Sequence, residues 1–109
     1  MSRHPPVPSV QVAFLTDDVR RALAAARSPF LAVAAEPAGG GWHVTVLDTA
    51  TTDVDFSADV SGGEQWRPAT VENTLWHAGF ITLPGAPWTL LATGRRCAPA
   101  YATGPRSDD

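Results

Sequence analysis

The segment VENTLWHAGF, residues 71–80, sets a carboxylate, an amide, a hydroxyl, an indole and an imidazole close together. If an extended strand begins at Leu75, His77 shares a face with apolar residues, and loss of hydration favours its neutral imidazole. A neutral imidazole suits general acid or base catalysis. In this hypothesis Glu72 or Asp48 orients His77, and three aromatic side chains form the walls of a ligand pocket: Trp76, Phe80 and Trp88.

Each histidine also has an alternative interpretation. His77 is equally consistent with a core residue bonded to a backbone carbonyl or to Thr70. His43 follows a run of glycines, and together with His77 and Asp48 or Glu72 it could supply a metal triad of imidazoles and a carboxylate. The chain contains no dinucleotide-binding, P-loop or metalloprotease motif. We therefore expect no metal and no other cofactor.

Carboxylates are frequent in the middle of the chain. Asp53, Asp55 and Asp59 alternate with apolar residues, a pattern that predicts a half-buried strand with the acids on its polar side. A solvated face that resists edge-to-edge association would account for them. In the alternative interpretation they form a docking patch for a basic partner, with Trp66 as its aromatic anchor.

The elements that must position these residues are one helix followed by about five strands. Thr16 as N-cap, with acids in the first turn, predicts a helix over 17–27 that ends at Ser28-Pro29. The apolar spacing also allows a start at Val12. A short apolar run predicts a strand over 30–35, and a period of two predicts further strands over 42–47, 53–60, 66–74 and 75–83. The last two could also form one long bent strand. Segment 87–94 favours a further strand, although Pro87 and Gly94 also match the ends of a helix.

This order of elements predicts an α+β fold, with one N-terminal helix packed on an antiparallel sheet of about five strands. We expect a single domain over residues 10–98, between a flexible proline-rich arm at 1–9 and a flexible tail at 99–109. The predicted strand 75–83 is apolar on both faces, and one helix covers only one face of a sheet. We therefore expect another protein, a second copy in a homodimer, or a small apolar ligand to cover the other face.

Size and composition limit the class of protein. The chain has 109 residues, a formal net charge of −3 and a single cysteine, Cys97, which excludes an internal disulfide. Its basic residues are all arginine, which indicates the codon bias of a GC-rich bacterial genome. The weakly acidic balance argues against nucleic-acid binding. The chain shows no signal-peptide pattern and no apolar run of the roughly 18 residues that a membrane span needs. We expect a cytoplasmic protein that does not enter membranes.

The segment LATGRRCAPAY, residues 91–101, is similar to the closing segment of some small bacterial immunity proteins. The resemblance covers this segment alone and carries over no residue role. The chain is small, lacks catalytic motifs and has an acidic predicted sheet with tryptophans. These features predict a non-catalytic, immunity- or regulator-like module that binds a basic partner. The alternative is a small pocket enzyme or carrier for an apolar metabolite, with His77 as its acid or base.

Overall fold

The computed structural model describes residues 16–36, 41–60, 65–82 and 88–103. These residues form two helices and a six-stranded sheet whose strand pairs are antiparallel, which confirms the α+β class. The elements in chain order are α1 (Asp17–Ala25), β1 (Phe30–Ala35), β2 (Trp42–Asp48), β3 (Val54–Val60), α2 (Pro68–Ala78), β4 (Phe80–Thr82), β5 (Thr89–Leu90) and β6 (Arg96–Ala102). The predicted arm, residues 1–9, lies outside the described residues.

The sheet has the strand order β3-β2-β1-β6-β4, and β5 also pairs with β6. The last of the described strands, β6, therefore lies inside the sheet, with β1 along one edge and β4 and β5 along the other. β6 continues to Ala102, so the sheet includes residues that the sequence assigned to the tail. At the opposite end of the sheet, β2 is the only described strand that pairs with β3.

Helix α1 covers one face of the sheet. It begins at Asp17, as the Thr16 signal predicts, and it buries Val19 and Leu23, which lie one turn apart. These side chains pack with residues of β1, β2 and β6: Leu31, Val33, Leu47 and Cys97. The Asp18 carboxylate fixes the start of the helix, because it accepts hydrogen bonds from the backbone N–H groups of Val19 (2.8 Å) and Thr93 (2.9 Å).

Helix α2 occupies a segment for which the sequence predicted strands, so the strand prediction over 66–74 is wrong. The prediction over 75–83 is correct only for β4, Phe80–Thr82. Pro68 lies in its first turn, and Gly79, with a φ of 98°, ends it in the left-handed conformation that favours glycine. Val71 and Leu75 are buried against the sheet face opposite α1. The expectation that one apolar face lacks a helix is therefore also wrong, because a helix packs on each face.

Aromatic rings extend the core beneath α2. Trp66 makes edge contacts with Trp42 and Trp88, with ring centroids 4.9 and 5.3 Å apart. The Arg96 guanidinium carbon lies 4.9 Å from the centre of a Trp66 ring. Phe80, only 4% exposed, packs edge-on against Phe30 at 5.1 Å. The tryptophans that were expected to need a partner therefore largely contact one another.

Candidate functional site

The three predicted catalytic residues have separate surroundings. His77 lies in the last turn of α2 and is exposed, so the expectation of a desolvated His77 is wrong. Glu72 accepts a hydrogen bond from Trp88 Nε1 at 3.0 Å. Asp48 accepts backbone hydrogen bonds from Ala50 and Thr51 and so holds the turn between β2 and β3. None of the described hydrogen bonds joins His77 to either carboxylate.

The predicted pocket residues lie in different surroundings. Phe80 is in the core, Trp88 packs on Trp66, and Trp76 is 58% exposed on α2. A cavity of about 350 Å³ lies beside α1, lined by Arg20, Leu23, Ala24, Thr49 and Thr52. None of the three predicted pocket residues lines this cavity.

The predicted docking residues are divided between an edge and the core. Asp53, Asp55 and Asp59 are all exposed, and the last two belong to β3. Trp66 is half-buried in the aromatic cluster beneath α2. The carboxylates are thus available to a partner, whereas much of the Trp66 ring already contacts the protein's own side chains.

Strands β2 and β3 bring together a polar cluster that the sequence did not reveal. His43 is the register partner of Asp59, and Thr45 is the register partner of Ser57, so all four side chains point to the same face. His43 Nδ1 lies 2.8 Å from Asp59 Oδ1, and His43 Nε2 lies 2.5 Å from Ser57 Oγ. Asp59, His43 and Ser57 therefore form one hydrogen-bonded chain.

The roles of the two ring nitrogens depend on the tautomer of His43. A carboxylate only accepts, so the neutral tautomer that fits Asp59 carries its proton on Nδ1. In that tautomer Nε2 is an acceptor, to which the Ser57 hydroxyl donates. This order matches that of serine–histidine–aspartate sites, in which the base takes the serine proton and the carboxylate holds the base in its correct tautomer.

The polar cluster is open to solvent on one side and supported on the other. The His43 side chain is 31% exposed and that of Asp59 is 90% exposed. Beneath them Thr45 is only 4% exposed, and its hydroxyl lies 3.4 Å from Ser57 Oγ. The cluster thus combines an accessible serine with a histidine held by hydrogen bonds on both ring nitrogens.

A cleft lies one strand away from the polar cluster. Its volume is about 200 Å³, and its lining residues are Ala35, Glu36, Thr93, Gly94 and Arg95. Ala35 is the register partner of His43 on β1, so this wall of the cleft neighbours the imidazole.

Other candidate chemistry is not assembled in the described part of the chain. Residues 16–36, 41–60, 65–82 and 88–103 contain no group of three histidine, cysteine or carboxylate side chains that could hold a metal ion. Cys97 is buried, and burial, followed by the nearby charge of Asp18, raises the pKa of its thiol. A raised pKa disfavours the thiolate that a nucleophilic cysteine needs.

No helix among the described residues is long and apolar enough to cross a membrane. Comparison of the sequence with models of protein families found no match. Searches of curated proteins and of solved structures found none either.

Proposed function

We propose that the protein binds an extended, positively charged segment of another protein along the outer edge of β3. The observation that carries this proposal is the position of β3 at the end of the sheet, with β2 as its only described neighbour. Alternate backbone N–H and C=O groups of such a strand point away from the sheet, where an added strand could pair with them. Main-chain hydrogen bonds would supply affinity, and neighbouring side chains would supply specificity.

The side chains around this edge favour a basic segment. Asp55 and Asp59 are exposed on β3, and Asp53 is exposed immediately before it. Lysine or arginine side chains on an added strand would lie opposite these carboxylates, and opposite charges across paired strands are stabilising. A second copy of the same edge would instead bring carboxylates together, which is destabilising. The charges therefore favour a different, basic partner over self-association.

Trp66 has a different role in this proposal from the one expected from the sequence. Its ring contacts Trp42, Trp88 and Arg96, so it stabilises the face beneath α2. We assign the docking role to the backbone of β3 and to its carboxylates, and we do not require an aromatic anchor.

The test uses two fluorescently labelled peptides, one alternating lysine with valine and the other alternating glutamate with valine. We expect the fluorescence anisotropy of the lysine peptide to rise when the protein is added. The anisotropy of the glutamate peptide should stay unchanged because it does not bind. The double variant Asp53→Asn/Asp55→Asn removes two edge charges and leaves the Asp59 hydrogen bond in place. Each rim charge contributes up to about 1 kcal/mol, so affinity should fall roughly fivefold to tenfold.

The control is Asp17→Asn/Glu36→Gln, which removes the same number of exposed charges from elsewhere. It should weaken binding less than twofold. Equal losses in both double variants would mean that net charge alone attracts the peptide, and the proposal would be wrong. The same conclusion follows if the edge variant self-associates while the original protein binds no peptide, because the carboxylates would then only protect the edge from aggregation.

A further inference from the structure

We propose that Ser57 is an activated nucleophile that accepts acyl groups from small, neutral carboxylic esters, with His43 as its base and Asp59 as a positioning residue. The geometry points to this activity because Ser57 Oγ is 2.5 Å from His43 Nε2 and the opposite ring nitrogen is 2.8 Å from Asp59. A serine hydroxyl is a weak nucleophile unless an adjacent base removes its proton. This activity differs from peptide binding, which would use the outer backbone edge of β3 and its carboxylates, and Asp59 is the one residue that the two proposals share.

The strand register makes this chain of hydrogen bonds a fixed feature of the sheet. Ser57 and Asp59 are two residues apart on β3, so they share a face, and His43 faces them from β2. Thr45 occupies the adjacent position on β2 and is buried beneath the serine. A site held by paired strands keeps its geometry better than one held by loops.

The reaction needs no group beyond the ester and water. Ser57 Oγ bonds to the ester carbonyl carbon while its proton passes to His43 Nε2. The bond from that carbon to the leaving oxygen then breaks, and His43 returns the proton to the departing alcohol. Water next attacks the acyl-serine with His43 as base, which releases the carboxylic acid and restores the Ser57 hydroxyl.

The surroundings of Ser57 define the substrate class and limit the rate. Asp59 and Asp55 give this edge a negative charge, which disfavours substrates that carry a carboxylate. The Thr45 hydroxyl lies 3.4 Å from Ser57 Oγ, and either oxygen could be the donor. Because Asp59 is 90% exposed, solvent weakens its interaction with His43. We therefore expect a rate near the lower end of the range for general-base catalysis, about a hundredfold above that of Ser57→Ala.

The test is the release of p-nitrophenol from p-nitrophenyl acetate, combined with peptide mass spectrometry of the acetylated protein. We expect acetyl on Ser57 and a rate that falls about a hundredfold in Ser57→Ala and in His43→Gln. Asp59→Asn should lower kcat about tenfold with little change in KM, and Asp59→Glu should restore much of it. The exposed position of Asp59 leaves room for the longer side chain.

The matched control is His77→Gln, because any exposed imidazole hydrolyses activated esters slowly. The rate should fall by less than about twofold in this variant. Acetyl at sites other than Ser57, or equal losses in the two histidine variants, would overturn the proposal. Far-UV circular dichroism and urea midpoints confirm folding, and an unchanged rate in a folded Ser57→Ala variant would also overturn it. Peptide binding is measured separately with the Asp53→Asn/Asp55→Asn variant, which leaves Ser57, His43 and Asp59 unchanged.

Discussion

Trp66 lies at the centre of the aromatic cluster beneath α2, and its truncation tests whether its role is structural. Trp66→Ala removes two edge contacts between rings, each worth about 0.5–1.5 kcal/mol, and the contact with Arg96, worth about 0.5–1 kcal/mol. Loss of a fully buried tryptophan side chain costs about 3–5 kcal/mol. Since Trp66 is half-buried, we expect the free energy of unfolding to fall by about 3 kcal/mol.

Equilibrium urea denaturation followed by far-UV circular dichroism measures this change without relying on the deleted fluorophore. Trp76→Ala is the matched control, because Trp76 is 58% exposed on α2 and its removal should change the free energy of unfolding by less than about 0.5 kcal/mol. A loss below about 1 kcal/mol in Trp66→Ala, or equal losses in the two variants, would refute the assignment of Trp66 to the core.

Two further predictions concern Asp18 and Cys97. Hydrogen bonds from Thr16 and Thr93 hold the pKa of the Asp18 carboxyl well below its usual range. The contribution of Asp18 to stability is therefore complete above pH about 4 and declines as the pH falls further. Asp18→Ala should lower the free energy of unfolding at pH 7 by about 1 kcal/mol, whereas the exposed Asp17→Ala should have less effect. Urea midpoints at pH 7 and pH 2.5 measure the stability of both variants. A stability loss in Asp18→Ala that is as large at pH 2.5 as at pH 7 would contradict this prediction. Cys97 should react with a thiol reagent in the folded protein at least about a hundredfold more slowly than in urea, because it is buried and its pKa is raised. Equal rates would show that the site is open.

The sequence predicted the α+β class, the first helix and the first three strands because their signals are local. Thr16 followed by two acids marks the start of α1, and alternation along 54–60 matches the observed pattern of half-buried and exposed residues in β3. The described part of the predicted segment 87–94, residues 88–94, forms the short strand β5 and a turn, so the strand preference is correct for Thr89–Leu90.

The second helix was missed although its signals are present. Val71, Leu75 and Ala78 recur at intervals of four and three, and Pro68 and Gly79 occupy the positions expected at the two ends of a helix. The alternation of Leu75, His77 and Gly79 favours a strand over the same residues. A strand there would place His77 in an apolar environment and leave one sheet face without a helix.

The polar cluster was missed for a different reason. His43 and Asp59 are distant in sequence, and only the pairing of β2 with β3 makes them neighbours. The register depends on the turn held by Asp48 and on the irregularity in pairing between Val46 and Leu47. A shift of one residue would place Ser57 and Asp59 on the opposite face from His43. Spacing along the chain does not reveal such a contact unless the hairpin register is known.

Amide hydrogen exchange along β3, measured with and without the lysine–valine peptide, tests the proposed binding edge most directly. Residues that already bond to β2 alternate with residues whose N–H groups point outward. Strand addition predicts that bound peptide slows exchange at every second residue of Val54–Val60 and leaves α1 and α2 unchanged. Uniform slowing across the sheet, or slowing confined to residues outside β3, would contradict the account.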